Sequence, residues 1–147
     1  MLRQASRDDL EHLLEMMVEF NRLERVPFDK ARTRLALLRL LDDRSLGRVL
    51  LVLDGASAIA GYVVLTYGYD LEFGGRDAFL TEVYLEPHAR RRGLATRALA
   101  DLDALAREDG ASAIHLGVYA DNAPAVALYE RAGYQPLPRV FYSKRLR

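Results

Sequence analysis

The run Arg90-Arg91-Arg92-Gly93-Leu94-Ala95-Thr96 sets three arginines and two small residues at the head of an apolar-striped segment. The first turn of a helix leaves backbone N–H groups without intrahelical partners, and with the macrodipole they amount to about half a positive charge. Such an end attracts anions. Gly93 and Ala95 would let a phosphate approach the main chain, the arginines would add charge-assisted contacts, and Thr96 a hydroxyl. Taken alone, the same run reads as well as a solvated basic loop before a helix that packs on a sheet. No Gly-Lys-Ser/Thr follows and G-x-G-x-x-G is absent, which disfavours a nucleoside triphosphate or NAD.

A second chemical candidate is Glu82, which alternates with Leu80 and Tyr84 in an apolar run, with Thr81 facing the other way. A carboxylate in a central strand is unusual unless it faces a wet cleft. His115 falls in another such run and reads as a partly buried, hydrogen-bonded structural histidine. Glu15, Glu19, Glu24, Asp70 and Glu72 form an acidic set that suits a cationic ligand or an ordinary solvated surface.

Composition narrows the chemistry further. The chain has 147 residues, 50% hydrophobic and 29% charged, which is expected to give one soluble domain over residues 1–147 with a single core. The 21 basic and 21 acidic residues cancel, arguing against nucleic acid or an anionic membrane surface as partner. With no cysteine there is no thiol nucleophile, thiolate metal site or disulfide. His12, His88 and His115 share no ligand spacing, so no metal is expected. The apolar stretch 35–41 is broken by Arg39, and the N-terminal MLRQASRDDL lacks a signal-type apolar core, so a cytoplasmic protein is expected.

The elements that must hold these residues follow from periodicity and punctuation. A first strand is predicted at 2–4, an amphipathic helix at 8–25 opened by Ser6 and Asp9, and a second helix at 29–41 beyond Pro27. Strands at 48–53 and 58–67 are joined at Asp54-Gly55, a loop spans 68–77, and a strong strand runs 79–85. A helix at 93–108 ends at Gly110, and a strand occupies 113–118. A short helix at 123–131 is capped by Asn122 and ended by Gly133, and 134–146 reads as one or two closing strands. The fold class is α/β in the broad sense: an α+β mixed sheet, mostly antiparallel, with helices on both faces. Its single crossover, 79–85 through 93–108 to 113–118, places a ligand at the carboxyl ends of the parallel pair. Exposed closing strands would suit a homodimer.

The run Val83-Tyr84-Leu85-Glu86-Pro87-His88-Ala89-Arg90-Arg91-Arg92-Gly93-Leu94-Ala95 resembles the acetyl-CoA-binding motif of the GNAT-type N-acetyltransferases, in which a strand, a Pro-containing turn and Q/R-x-x-G-x-G/A lead into a helix. Downstream, Asn122-Ala123-Pro124-Ala125-Val126-Ala127-Leu128-Tyr129-Glu130-Arg131-Ala132-Gly133-Tyr134 resembles the family's N-x-x-A-x-x-L-Y-x-x-x-G-F/Y signature. Ala95 stands where many members have Gly, a variation the pattern admits.

The resemblance implies a sheet whose central parallel strands splay apart, with pantetheine pairing with the backbone of Val83, Tyr84 and Leu85. Main-chain N–H groups of Arg91 to Thr96, Leu94 and Ala95 included, would hold the pyrophosphate, with Arg90, Arg91 and Arg92 at its side. Asn122 would contact the coenzyme or fix a water, besides its capping role. The implied reaction is acetyl transfer from acetyl-CoA to an amine such as a polyamine, an amino-sugar or a protein amine, without an acyl-enzyme because no cysteine exists to carry one. A backbone N–H near Tyr84 or Leu85 would meet the oxyanion, and Tyr129 would protonate the departing thiolate. Glu82 would take the amine proton through a water or attract the ammonium. A non-catalytic acyl-CoA sensor, or a phosphate-binding domain for another nucleotide, would share the basic turn without the turnover.

Overall fold

Runs of Val, Leu, Ile and Tyr in the stretches 47–53 and 59–70 build the middle of a five-stranded sheet in the computed structural model, which describes residues 1–147. Strands β1 (Leu2–Gln4), β2 (Gly47–Leu53), β3 (Ile59–Asp70), β4 (Gly75–Leu85) and β5 (Ile114–Leu116) lie side by side in that order. Neighbours from β1 to β4 are antiparallel, and β5 runs parallel to β4. The helices are α1 (Leu10–Leu23), α2 (Lys30–Asp42), α3 (Leu94–Glu108) and α4 (Ala123–Arg131). The chain forms two compact units, Met1–Gly117 and Val118–Arg147.

In the first unit the sheet is covered on both faces. Val49, Leu51, Tyr62, Val64 and Tyr84 meet Leu13, Leu14, Met16, Met17 and Leu37 of α1 and α2. Period-two alternation sends Leu50, Val52, Val63 and Leu65 to the other face, where they are buried under the stripe Ala98, Leu99, Leu102 and Ala106 of α3. The end of α3 is fastened there by Asp109, which accepts two bonds from Arg48 of β2 (2.6 and 2.5 Å) and one from the Tyr67 hydroxyl of β3. Arg76 of β4 donates to the Asp109 carbonyl at 3.3 Å and lies 4.7 Å over the Tyr67 ring.

Three expectations from the sequence change. The predicted loop 68–77 is mostly hairpin: β3 and β4 pair out to Asp70 and Gly75, and only a 3-10 turn, Leu71–Phe73, separates them. Gly74 closes that turn in the left-handed region at φ 79°, Gly75 opens β4, and the Asp70 side chain accepts from the Glu72 N–H. The tail 134–147 forms no strand. Its aromatic residues and Val140 follow or flank Pro136 and Pro138, which cannot donate to a ladder and confine a segment to non-strand or edge conformations. The third change lies inside β4. Val64 faces Glu82 but Leu65 faces Leu80, so Thr81 is an extra residue in a β-bulge. Leu80 therefore points to the α3 face while Glu82 and Tyr84 share the α1 face with Val64 and Tyr62, and the alternation Leu80, Glu82, Tyr84 does not hold.

Candidate functional site

The carboxyl end of β4 has a partner on one side alone. The ladder with β5 stops at Leu80 opposite Leu116, whereas pairing with β3 continues through Tyr84 opposite Tyr62 to Leu85 opposite Gly61. The N–H of Glu86 donates to the Ala60 carbonyl at 2.8 Å, and in an antiparallel ladder bonded pairs alternate. It follows that Tyr84 and Glu82 spend their backbone groups on β3, while Val83 and Leu85 turn theirs to the side where β5 has ended. Of the two amides named as oxyanion donors from the sequence, Leu85 has the outward orientation and Tyr84 does not. Gly61 makes the close pairing possible, since a Cβ there would lie 2.0 Å from the Tyr84 carbonyl oxygen.

Beyond β4 a 3-10 turn, Pro87–Ala89, leads into Arg90–Gly93 and α3. Arg91 (φ 61°) and Gly93 (φ 75°) are both left-handed, a conformation that costs an L-residue roughly 1–2 kcal/mol and glycine little. The first helical bond runs from Arg97 N–H to Gly93 O at 3.1 Å, so the amides of Leu94, Ala95 and Thr96 precede the α3 ladder. Around Gly93 nothing lies within 4 Å of where a Cβ would stand. The three arginines diverge. Arg90 folds back, donating to the Leu85 carbonyl at 2.9 Å with its guanidinium 5.7 Å from the Tyr84 ring, and Arg92 is felt electrostatically by Asp54 in the β2–β3 turn.

On the α1 face, Glu82 accepts a 2.7 Å hydrogen bond from the buried Tyr62 hydroxyl. Burial holds its carboxyl above the ordinary range, the Tyr62 bond offsets part of that rise, and the charge of Glu24 at the end of α1 adds to it. Burial and the adjacent Glu82 keep the Tyr62 phenol protonated. Tyr84 is also raised, chiefly by burial and then by Glu86, to which its hydroxyl donates at 3.3 Å. A half-buried carboxyl, raised above its ordinary range and on the strand that offers the outward-facing amide edge, is equipped for proton transfer.

Other expected residues are placed as follows. Asn122 caps α4, its Oδ1 accepting from the Ala125 N–H at 3.3 Å, and Tyr129 packs edge-on against Tyr134 with ring centres 5.8 Å apart. Both lie in the second unit. His115 is the structural histidine expected, bonded at 3.1 Å to buried Asp77 and flanked by Phe73 and Phe79. Of the acidic set, Asp70 caps the hairpin turn, Glu19 pairs with Arg22, and Glu24 is felt at Glu82. Tyr62 escaped the sequence reading. It looks like a core residue of an apolar strand, and only the bulge at Thr81 brings Glu82 to its face.

The fold and the two motifs define a class. The chain belongs to the Acetyltransferase (GNAT) family, whose model matches residues 11–134; the family comprises acetyl-CoA-dependent acyltransferases. Over 59 residues the chain is 44% identical to the uncharacterized N-acetyltransferase YdgE of Bacillus subtilis (strain 168), a match spanning 40% of this chain and 38% of that protein. Integron Cassette Protein HFX_CASS3, from the mobile metagenome of Cole Harbour Salt Marsh, has the same fold with a TM-score of 0.86 at 27% identity, over 99% of this chain and 90% of that one. The aminoglycoside antibiotic 6'-N-acetyltransferase AAC(6')-IG of Acinetobacter haemolyticus, at 19% identity, shares the fold with a TM-score of 0.78 over 100% of this chain and 99% of that one. No helix of the chain is long and apolar enough to cross a membrane.

Proposed function

We propose that this chain is an N-acetyltransferase in which acetyl-CoA and a primary amine meet directly, with residues 1–147 working as one catalytic domain. The observation that carries the reading is the edge of Val83 and Leu85 beyond the end of β5, where no strand pairs and Arg90 alone reaches the Leu85 carbonyl, continued by the left-handed turn and the open amides at the head of α3. A strand edge of this kind suits the amides of a pantetheine arm, and the helix terminus suits a diphosphate.

When bound, acetyl-CoA supplies an activated acyl group. The Leu85 N–H stabilises the oxyanion that develops as the amine nitrogen forms its bond to the acyl carbon. Glu82 accepts the proton that the amine loses, directly or through a water. Tyr129 delivers a proton to the thiolate as the carbon–sulfur bond breaks, a role taken from the motif at 122–134. Protons balance as follows: the bound ammonium gives up two, one before attack to leave a neutral amine and one as the amide forms; Tyr129 supplies one to the sulfur, and the net proton left over passes through Glu82 to solvent. The carboxylates Glu24 and Glu82 favour a cationic acceptor, a polyamine, an amino-sugar or a protein amine.

Incubation with acetyl-CoA and a panel of such amines, read by mass spectrometry with parallel thiol release, tests the proposal. An acetylated amine with equimolar free CoA is expected, and Tyr129→Phe lowers the rate. Tight acetyl-CoA binding with no product across the panel, and no effect of Tyr129→Phe, would make the chain a sensor of acyl-CoA.

A further inference from the structure

We propose that Tyr62 is a positioning residue that holds the Glu82 carboxylate in its working orientation through the 2.7 Å hydrogen bond between them. The inference rests on the assignment of Glu82 as proton acceptor and extends it to a residue outside both family motifs.

The argument starts with the cost of the hydroxyl. Tyr62 is fully buried, in a strand whose neighbours Val63, Val64 and Leu65 are apolar, and Phe would fill the same volume without a polar atom to satisfy. Its ring is immobilised from two sides, edge-on by Phe20 of α1 at 6.3 Å and tilted by Tyr84 at 5.9 Å. A fixed ring fixes its oxygen, so the Glu82 carboxylate has one donor in one place. The register explains the meeting. Tyr62 faces Tyr84 and Val64 faces Glu82, which makes Tyr62 and Glu82 diagonal neighbours on one face, within reach of two long side chains. Had the strand continued without the Thr81 bulge, Thr81 and Val83 would occupy that face.

The groups facing Glu82 come from three elements: Tyr62 on β3, Glu24 at the end of α1, and Tyr84 two residues along β4, itself coupled to Glu86, Glu19 and Arg90. Among those acting directly on Glu82, the Tyr62 bond favours the carboxylate, whereas burial and Glu24 favour the protonated acid. Removing the phenol therefore moves the titration of Glu82 upward. It also frees the carboxylate to rotate.

The test is the pH dependence of kcat/KM for acetyl transfer in the wild type, Tyr62→Phe, Glu82→Gln and the double variant. Tyr62→Phe deletes one oxygen and keeps both ring contacts. The expected result is an acid limb displaced to higher pH, a loss of roughly ten- to a hundredfold on the acid side and a smaller loss on the plateau. In the Glu82→Gln background the same change has no further effect, because Tyr62 acts through the carboxylate. Equal losses in both backgrounds, or an unmoved limb, would make Tyr62 core packing alone and overturn the inference. If instead Glu82→Gln keeps wild-type rates and limb, the assignment of Glu82 itself has failed. Should Tyr62→Phe prove too unstable to assay, the Tyr62 hydroxyl proton in the wild type decides by NMR: a slowly exchanging, downfield-shifted resonance that moves with the titration of Glu82 supports the inference, and a rapidly exchanging proton, or one indifferent to Glu82, overturns it.

Discussion

A carboxyl placed in the middle of a sheet must bear its charge against burial or keep its proton, and Glu82 stands between the two, raised by burial and held back by one hydrogen bond. A carboxyl raised in this way is a better proton acceptor than an ordinary glutamate and can release the proton afterwards. The sign follows directly: activity requires the carboxylate, so kcat/KM rises with pH through a limb above the ordinary glutamate range. Glu82→Gln should lower kcat by about 10²- to 10⁴-fold and abolish that limb, as initial rates across pH would register. A limb in the ordinary carboxylate range, surviving the substitution, would take Glu82 out of the chemistry. This residue was visible in the sequence as an oddity among apolar neighbours. Its face was not, because a bulge is a property of two strands in register and no feature of the run around Thr81 announces it.

At the scale of elements, α3 is the part whose position matters most, since its N-terminus presents the open amides while its C-terminus is anchored at Asp109. The Arg48 guanidinium, and with it the Tyr67 hydroxyl, holds the Asp109 carboxyl down at about 2, against the opposing effect of burial. A lowered folded-state pKa contributes stability that is complete above the unfolded carboxylate value and is lost as pH falls through about 2. Asp109→Asn should therefore cost about 1–3 kcal/mol in urea melts near neutral pH, and the gap from wild type should close progressively as the medium is acidified. A gap that stays constant with pH would show that the clamp works by shape alone. Elements set by local chemistry were read closely from the sequence: Asn122 and Gly133 mark the ends of α4, and Ser6 with Asp9 marks the approach to α1. The hairpin of β3 and β4 exceeded its predicted length because Gly68, Tyr69 and Asp70 pair with Asp77, Arg76 and Gly75 across the Leu71–Phe73 turn, although glycine and aspartate on both sides carry little strand propensity of their own.

For the whole molecule, the cancelled formal charge means that no long-range field gathers an anionic coenzyme, and attraction falls to the turn at Arg90–Gly93. Raising salt from about 0.05 to 0.5 M should weaken CoA binding several-fold in the wild type, and much less in a variant with Arg91→Gln and Arg92→Gln, by titration calorimetry. Equal salt dependence in both proteins would locate the attraction elsewhere. The architecture was legible in the sequence through the two family motifs, since the strand, turn and helix around Gly93 are one local unit. The acceptor was not readable, because it depends on how side chains from α1, β3 and β4 converge. The most direct test is calorimetric titration of CoA into the wild type and into Gly93→Glu, which sets an acidic side chain and a strained left-handed residue at the head of α3. Saturable binding to the wild type, lost in the variant while its melting curve shows a folded protein, is the predicted result; equal affinity in the two would contradict the account.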